Sequence, residues 1–374
     1  MLFPINPQTP QCQVFKVLND ELLYFLKASI TATGFNETLF NAGADTDTDA
    51  VCWENLKTQE KFRTLWDTMV IEKTDRAALY NMINDAQDIP VFFSDTTLEL
   101  PEIANPKVFN ALKALTSHLF ASSKTLVVIE TLAGETINKH YQNFTDKNKF
   151  LCTLCGTTLL SQNRTGYDDD DQWRADYDHI LCKDKYPEFA AHPANFIPTC
   201  NVCNSKAKGA RNLLKDDKNR RRKAFYPLPP QSESCYQHIK VKPTLGSGRD
   251  ITPLTAISII YPTASTVELE KIHIWEEVYQ VPSRVSANLL SNFIERIAAD
   301  CTPDNFAEFK QQIEKKSRKL PEDYRMSEWR FWWYSLYHWL HEQPEQVKQE
   351  IWGIIKPKQE IVNQNNDARS TYGH

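Results

Sequence analysis

The chain has 374 residues, 41% hydrophobic, 11% aromatic and 24% charged, a composition that fills real cores and excludes a disordered or collagen-like chain. At roughly 100–200 residues per domain, it predicts two or three domains. The net charge of −5 argues against a protein that coats nucleic acid indiscriminately, so a polyanion contact has to be local.

Residues 1–145 predict a helical domain. Leu18, Leu22, Leu23 and Leu26 recur at helical spacing, as do Phe109, Leu112, Leu115 and Leu119. The polar stretch Asn41 to Ala50 reads as a loop, and Thr125 to Thr131 as a short strand or a helix end. There is no phosphate-binding glycine loop and no internal repeat. Residues 146–225 change character and hold two CxxC pairs, an acidic run and a basic run. Pro227, Pro229 and Pro230 mark a boundary. Residues 226–374 predict a few strands between Tyr236 and Tyr279, then helices over Val285–Ala299, Asp304–Lys316, Met326–Leu340 and Pro344–Ile355, with a fraying polar tail from Lys356. The fold class is therefore α+β and mostly helical. Trp329, Trp332, Trp333, Leu336 and Leu340 form one helical stripe, which reads as a packing face and not as a base-stacking surface.

No apolar run reaches the ~18–20 residues of a spanning helix. The opening MLFPINPQTPQCQVFK lacks a basic segment followed by an apolar one. No membrane partner is expected, and the expected location is the cytoplasm. Disulfides do not explain nine cysteines in a reducing compartment. Cys12, Cys52, Cys182, Cys235 and Cys301 are scattered and read as small buried apolar residues. Cys152-x-x-Cys155 and Cys200-x-x-Cys203 are different: two such knuckles supply four thiolates, which suits a tetrahedral structural zinc with no open position.

The segment between the knuckles carries Asp178-His179 in a strand-like run, then Asn195 opening a second run that leads into Cys200. Asn204 follows in the first turn of a helix expected to reach about Lys215. This order of strand, loop, strand, knuckle and helix resembles the HNH endonuclease family, whose ββα-metal motif is held by a four-cysteine zinc. The resemblance covers residues 148–216. The third signature position is Asn204 and not histidine, a variant the family accepts. A proline three residues after His179 is missing, and the acidic insert Asp168 to Asp171 lies outside the family pattern.

The resemblance implies a metal-dependent endonuclease that hydrolyses DNA, with RNA left open. His179 would be the general base. Asp178 and Asn204 would hold a catalytic Mg²⁺ or Mn²⁺, and Asn195 would pin the loop that orients His179. His is the one side chain here that accepts a proton near neutrality without large perturbation. On a regular strand, however, Asp178 faces away from His179 and has to be brought round. His192, beside Pro193, is read as a loop residue. Lys206 to Lys223 contains nine basic residues against Asp216 and Asp217. Within it, Lys206, Lys208, Arg211 and Lys215 are expected on nucleic acid, Asn204, Lys208, Arg211 and Lys215 sharing one helix face. A solvated helix face is the competing reading. The alternative function is a zinc-scaffolded nucleic-acid-binding module without catalysis. The helical flanks are candidates for a protein partner, and the architecture resembles that of bacterial defence or restriction effectors.

Overall fold

The computed structural model describes residues 1–41, 51–123, 126–162, 164–168, 171–246, 253–318 and 325–356. The fold is α+β, predominantly helical, with small antiparallel two-stranded sheets. Two compact units divide the chain. One comprises Met1, Phe3–Phe150 and Leu160–Ser234, and the other comprises Leu2, Leu151–Leu159 and Cys235–His374. Residues 160–234 thus group with the N-terminal helices, where the sequence suggests a separate body over 146–225. The expected Asn41–Ala50 loop and the tail beyond Lys356 lie outside the described residues, apart from Asn41 itself.

The first unit carries α1 (Gln13–Ser29), α2 (Val51–Glu54), α3 (Leu56–Ile71), α4 (Arg76–Asp85), α5 (Val91–Ser94), α6 (Pro106–Ser122), α7 (Val127–Ala133) and α8 (Ile137–Asn148). Side chains cap the starts of several. Asn55 accepts from Thr58 N, Asp75 from Ala78 N, Asn105 from Lys107 N and Val108 N, and Thr136 from Lys139 N. The leucine spacing reports the buried faces: Leu18, Leu22 and Leu26 in α1, and Leu112, Leu115 and Leu119 in α6. The run ending at Thr131 proves helical and stops at Gly134 in the left-handed region.

Two short sheets follow in this unit. β1 (Ser161–Gln162) pairs with β2 (Trp173–Arg174), and β3 (Tyr177–His179) pairs with β4 (Phe196–Pro198). In the second pair His179 lies opposite Phe196 and Asp178 opposite Ile197. Apart from Lys183, Asp184 and Lys185, the loop joining β3 to β4 is buried and needs internal partners for its backbone. Asn195, fully buried, supplies them. Its Oδ1 accepts from Leu181 N at 2.6 Å, and its Nδ2 donates to Leu181 O at 3.0 Å and Phe189 O at 2.9 Å.

After β4 the sequence reading needs a correction. The expected helix from Asn204 to about Lys215 is a π-helical turn, Val202–Lys208. It closes with Gly209 N donating to Asn204 O at 2.8 Å, a bond spanning five residues. Gly209 has φ 48°, a left-handed conformation that suits glycine and ends the helix. Arg211 and Lys215 therefore lie beyond the helix, and the shared face with Asn204 and Lys208 does not form.

The second unit holds the hairpin β5 (Lys240–Leu245) and β6 (Leu254–Ile260), then α9 (Thr266–Tyr279), α10 (Val281–Ser291), α11 (Phe293–Asp300), α12 (Phe306–Ser317), α13 (Arg330–Glu342) and a helix over residues 345–356. The single helix expected over Val285–Ala299 breaks at Asn292. In α13, Trp332, Trp333, Leu336 and Leu340 are buried, so the tryptophan tract is a packing face. Trp329 stands just before the helix with φ 63°.

Replacing Asn195 with Ala should orphan three buried backbone groups. The expected loss of stability is about 3 kcal/mol or more, at about 1–3 kcal/mol for each unsatisfied buried group. Urea unfolding of the variant checks this, and an unshifted midpoint would show that the loop does not depend on the clamp.

Candidate metal centre and catalytic cavity

The four knuckle cysteines come together. Cys152, Cys155, Cys200 and Cys203 are buried, and their sulfur atoms lie within 4.8 Å of one another. A zinc tetrathiolate with Zn–S near 2.3 Å needs sulfurs about 3.8 Å apart, so a small contraction closes it around one ion. The first knuckle is a tight turn: Gly156 N donates to Cys152 O at 2.8 Å, and Cys152 N donates to Thr158 O at 3.0 Å. Two indoles hold its carbonyls. Trp275 Nε1 donates to Leu154 O at 3.0 Å, and Trp332 Nε1 donates to Cys155 O at 2.8 Å. Sequence spacing marked the ligands but missed these supporting tryptophans, because nothing local links them to the knuckle. The five scattered cysteines are buried, as read.

His179 and Asn204 line one cavity of about 770 Å³ in the first unit, with Phe120, Trp173, Arg174, Asp176 and Lys183 among the other walls. The His179 ring packs against Phe120, at 4.5 Å between centroids, and Phe196, at 4.8 Å, which stack on each other. Its Nε2 lies 3.2 Å from Ala190 O. A carbonyl only accepts, so Nε2 carries the proton and Nδ1 is the basic atom of the neutral ring. Burial, reinforced by the Lys183 ammonium, pushes the His179 pKa down to about 3. The imidazole is therefore neutral throughout the physiological range.

Asp178 does not line this cavity. Its side chain is 3% exposed, and its Oδ1 accepts from Lys208 Nζ at 2.8 Å. The same ammonium donates to His179 O at 2.5 Å. Lys208 is itself buried, so this residue does not present its charge to an outside polyanion. Burial raises the Asp178 carboxyl above its ordinary value, and Lys208 opposes that rise. Asp178 Oδ2 is buried and has no hydrogen-bond partner among the described residues. That orphaned oxygen and the cavity-lining Asn204 carboxamide are hard oxygen donors of the kind Mg²⁺ and Mn²⁺ take, but Asp178 lies off the cavity wall and is paired with Lys208.

The remaining residues sort by exposure. Lys206 and Arg211 are exposed, and Lys215 is half-buried. Arg221 donates to Phe92 O, Leu98 O, Asp95 O and Leu214 O, and Arg222 to Asn212 O and Leu213 O, so these arginines fasten backbone. His192 is buried. Its Nδ1 accepts from Ala194 N at 3.1 Å, which caps the turn Pro193–Asn195. The acidic insert is described only at its ends, Asp168 and Asp171.

Across 87 residues the chain is 33% identical to Protein ea31 of Escherichia phage lambda. The matched stretch is 23% of this chain and 29% of that protein, so the chain spans less than a third of the relative's length. No family model matches the chain, and no solved structure matches it. Among the described residues, no helix is long and apolar enough to cross a membrane.

Two outcomes are expected. Metal analysis after dialysis against chelator-free buffer should return about one zinc per chain. Cys200→Ser with Cys203→Ser should lose the metal and unfold, since structural zinc contributes on the order of 10 kcal/mol. A zinc-free wild type that is cleanly folded would overturn the centre. Separately, Lys208→Met should destabilise the protein by about 3–5 kcal/mol, because it strands a buried carboxylate. Adding Asp178→Asn should recover much of that loss. A double variant no better than Lys208→Met alone would show that the pair is not coupled.

Proposed function

We propose that the chain is a metal-dependent endonuclease of the HNH type that hydrolyses phosphodiester bonds in DNA. The observation that carries this reading is the neutral imidazole of His179 on the wall of a cavity that also presents Asn204, Arg174 and Lys183. Phosphodiester hydrolysis needs a proton acceptor beside a site for a polyanion, and these are the groups such a site requires.

In this reading His179 accepts the proton of the attacking water at Nδ1. Ala190 O fixes the tautomer, and Phe120 and Phe196 fix the ring plane. Lys183 and Arg174 receive the phosphate and hold it by charge. An arriving phosphate also offsets the Lys183 charge, the lesser of the two causes that depress His179, while burial, the larger, persists. Asn195 orients His179 through the loop and does not touch substrate. Asp178 Oδ2 and Asn204 would hold the divalent ion, which supplies positive charge against the developing phosphorane. Lys206, Arg211 and Lys215 remain candidates for backbone phosphate contacts.

One observation favours the second reading, a zinc-scaffolded nucleic-acid-binding module without catalysis. The carboxylate expected at the divalent ion is paired with Lys208. The two readings part in a single assay of supercoiled plasmid and of circular single-stranded DNA, each with Mg²⁺, with Mn²⁺ and with EDTA. Wild type should cut only with metal. His179→Ala should lose at least the ~10²–10⁴-fold typical of a general base while keeping its zinc, fold and DNA binding. Binding without cleavage by the wild type would select the scaffold reading. Full activity in His179→Ala would place the chemistry elsewhere.

A further inference from the structure

The hairpin beside the cavity carries an aromatic arrangement that the proposed reaction does not use. Trp173 is 61% exposed and Tyr167 is 53% exposed, unusual openness for such large rings. The Arg164 guanidinium packs on both rings, with Cζ 3.8 Å from the Tyr167 ring centroid and 4.6 Å from that of Trp173. This cluster is held from below. Gln172 Oε1 accepts from Arg164 N at 2.6 Å, and Gln172 Nε2 donates to Arg164 O at 3.0 Å and Tyr167 O at 2.9 Å. Arg164 Nη2 donates to Asp171 O. Trp173 also sits in β2, paired with Gln162. The indole is therefore presented on a fixed frame, and its own contact is with a flat cation on one face.

Position gives the cluster its meaning. Trp173 and its neighbour Arg174 line the same cavity as His179, Lys183 and Asn204. From these observations we infer that the hairpin is a stacking platform for an unpaired base, and that the strand entering the cavity is single-stranded. The inference rests on the nuclease reading above and names its substrate class. An aromatic face accepts any base, because every base has a π face. A duplex keeps its bases stacked inside and offers the platform none. The surrounding charge points the same way. Asp168, Asp171 and Asp176 are exposed on this side and repel the paired phosphate rails of a duplex. A single strand can turn its phosphates to Arg174 and Lys183 and its base to Trp173.

The test is binding to the His179→Ala protein, measured by fluorescence anisotropy with three labelled DNA probes. These are a single-stranded 15-mer, the same strand with abasic sites throughout its centre, and the corresponding duplex. The strand with bases should bind at least roughly fivefold tighter than the abasic strand, the lower end of the stacking contribution of one base. Trp173→Ala should reduce the affinity for the intact strand to that for the abasic strand and leave duplex affinity unchanged. Trp173→Phe, which keeps a π face, should restore most of the loss. Equal affinity for the intact and abasic strands, or an equal loss on single strand and duplex, overturns the platform. The cleavage assay on plasmid and on circular single-stranded DNA is independent of this result. Cleavage without base-dependent binding removes the platform alone, and base-dependent binding in a wild type that never cuts removes the nuclease reading alone.

Discussion

A buried ammonium organises the centre of the first unit. Lys208 Nζ reaches both the Asp178 carboxylate and the His179 carbonyl, and its side chain is 1% exposed. A lysine in that position is costly unless charge and hydrogen bonds meet it, and here both do. The local backbone follows from that demand. The π-helical turn winds wider than an α-helix, which takes Lys208 off the row Asn204 would share with it, and Gly209 then stops the turn. A straight α-helix through Lys215 would keep Lys208 on the Asn204 row and leave Asp178 without its counter-charge.

The strand pair and its loop are fixed by a second device of a different kind. Asn195 satisfies buried backbone with its side chain, and Ile180 N returns a bond to Asn195 O at 2.9 Å. Tyr226 reaches into the same loop, donating from its hydroxyl to Ala194 O at 2.9 Å. His192 caps the turn ahead of Asn195 as a neutral ring, its pKa pushed down to about 4 by burial. Glu188 is the exception in this loop: burial raises its pKa to about 8, and its Oε1 has no hydrogen-bond partner among the described residues. Uncharged buried groups are what a water-excluded loop tolerates, and this loop holds them in number.

What the sequence disclosed follows the range of each signal. Cysteine spacing is a local code for metal geometry, so the four ligands were legible. Leucine periods are also local, and they located α1 and α6. The strand-like runs at Asp178-His179 and after Asn195 were legible as short apolar segments, and the structure pairs them antiparallel. Lys208 was misplaced because a basic residue four positions after Asn204 looks solvent-facing under an α-helical period, and nothing in the sequence announces a π-turn. The indole contacts to the first knuckle were hidden for another reason. Trp332 is 177 residues from Cys155, and a packing stripe says where a face is buried but not which carbonyl it meets. Trp173 reads in the sequence as an anchor of the acidic loop beside it, because its partner Arg164 lies nine residues earlier across the hairpin.

The placement of His179 sets burial against basicity in the proposed reaction. An exposed histidine beside two cations would be neutral at pH 7 but free to turn and to protonate at either nitrogen. Here Ala190 O claims Nε2, and the imidazole packs against two aromatic rings, so the basic atom has one identity and one direction. The cost is a depressed pKa, and an isolated base of that strength would be a poor proton acceptor. The depression comes from burial first and from Lys183 second. A phosphate diester in the cavity would offset the lysine, the lesser cause, and leave burial in force. In the proposed reaction the lysine that lowers basicity in the free protein thus serves in the complex to seat the phosphate.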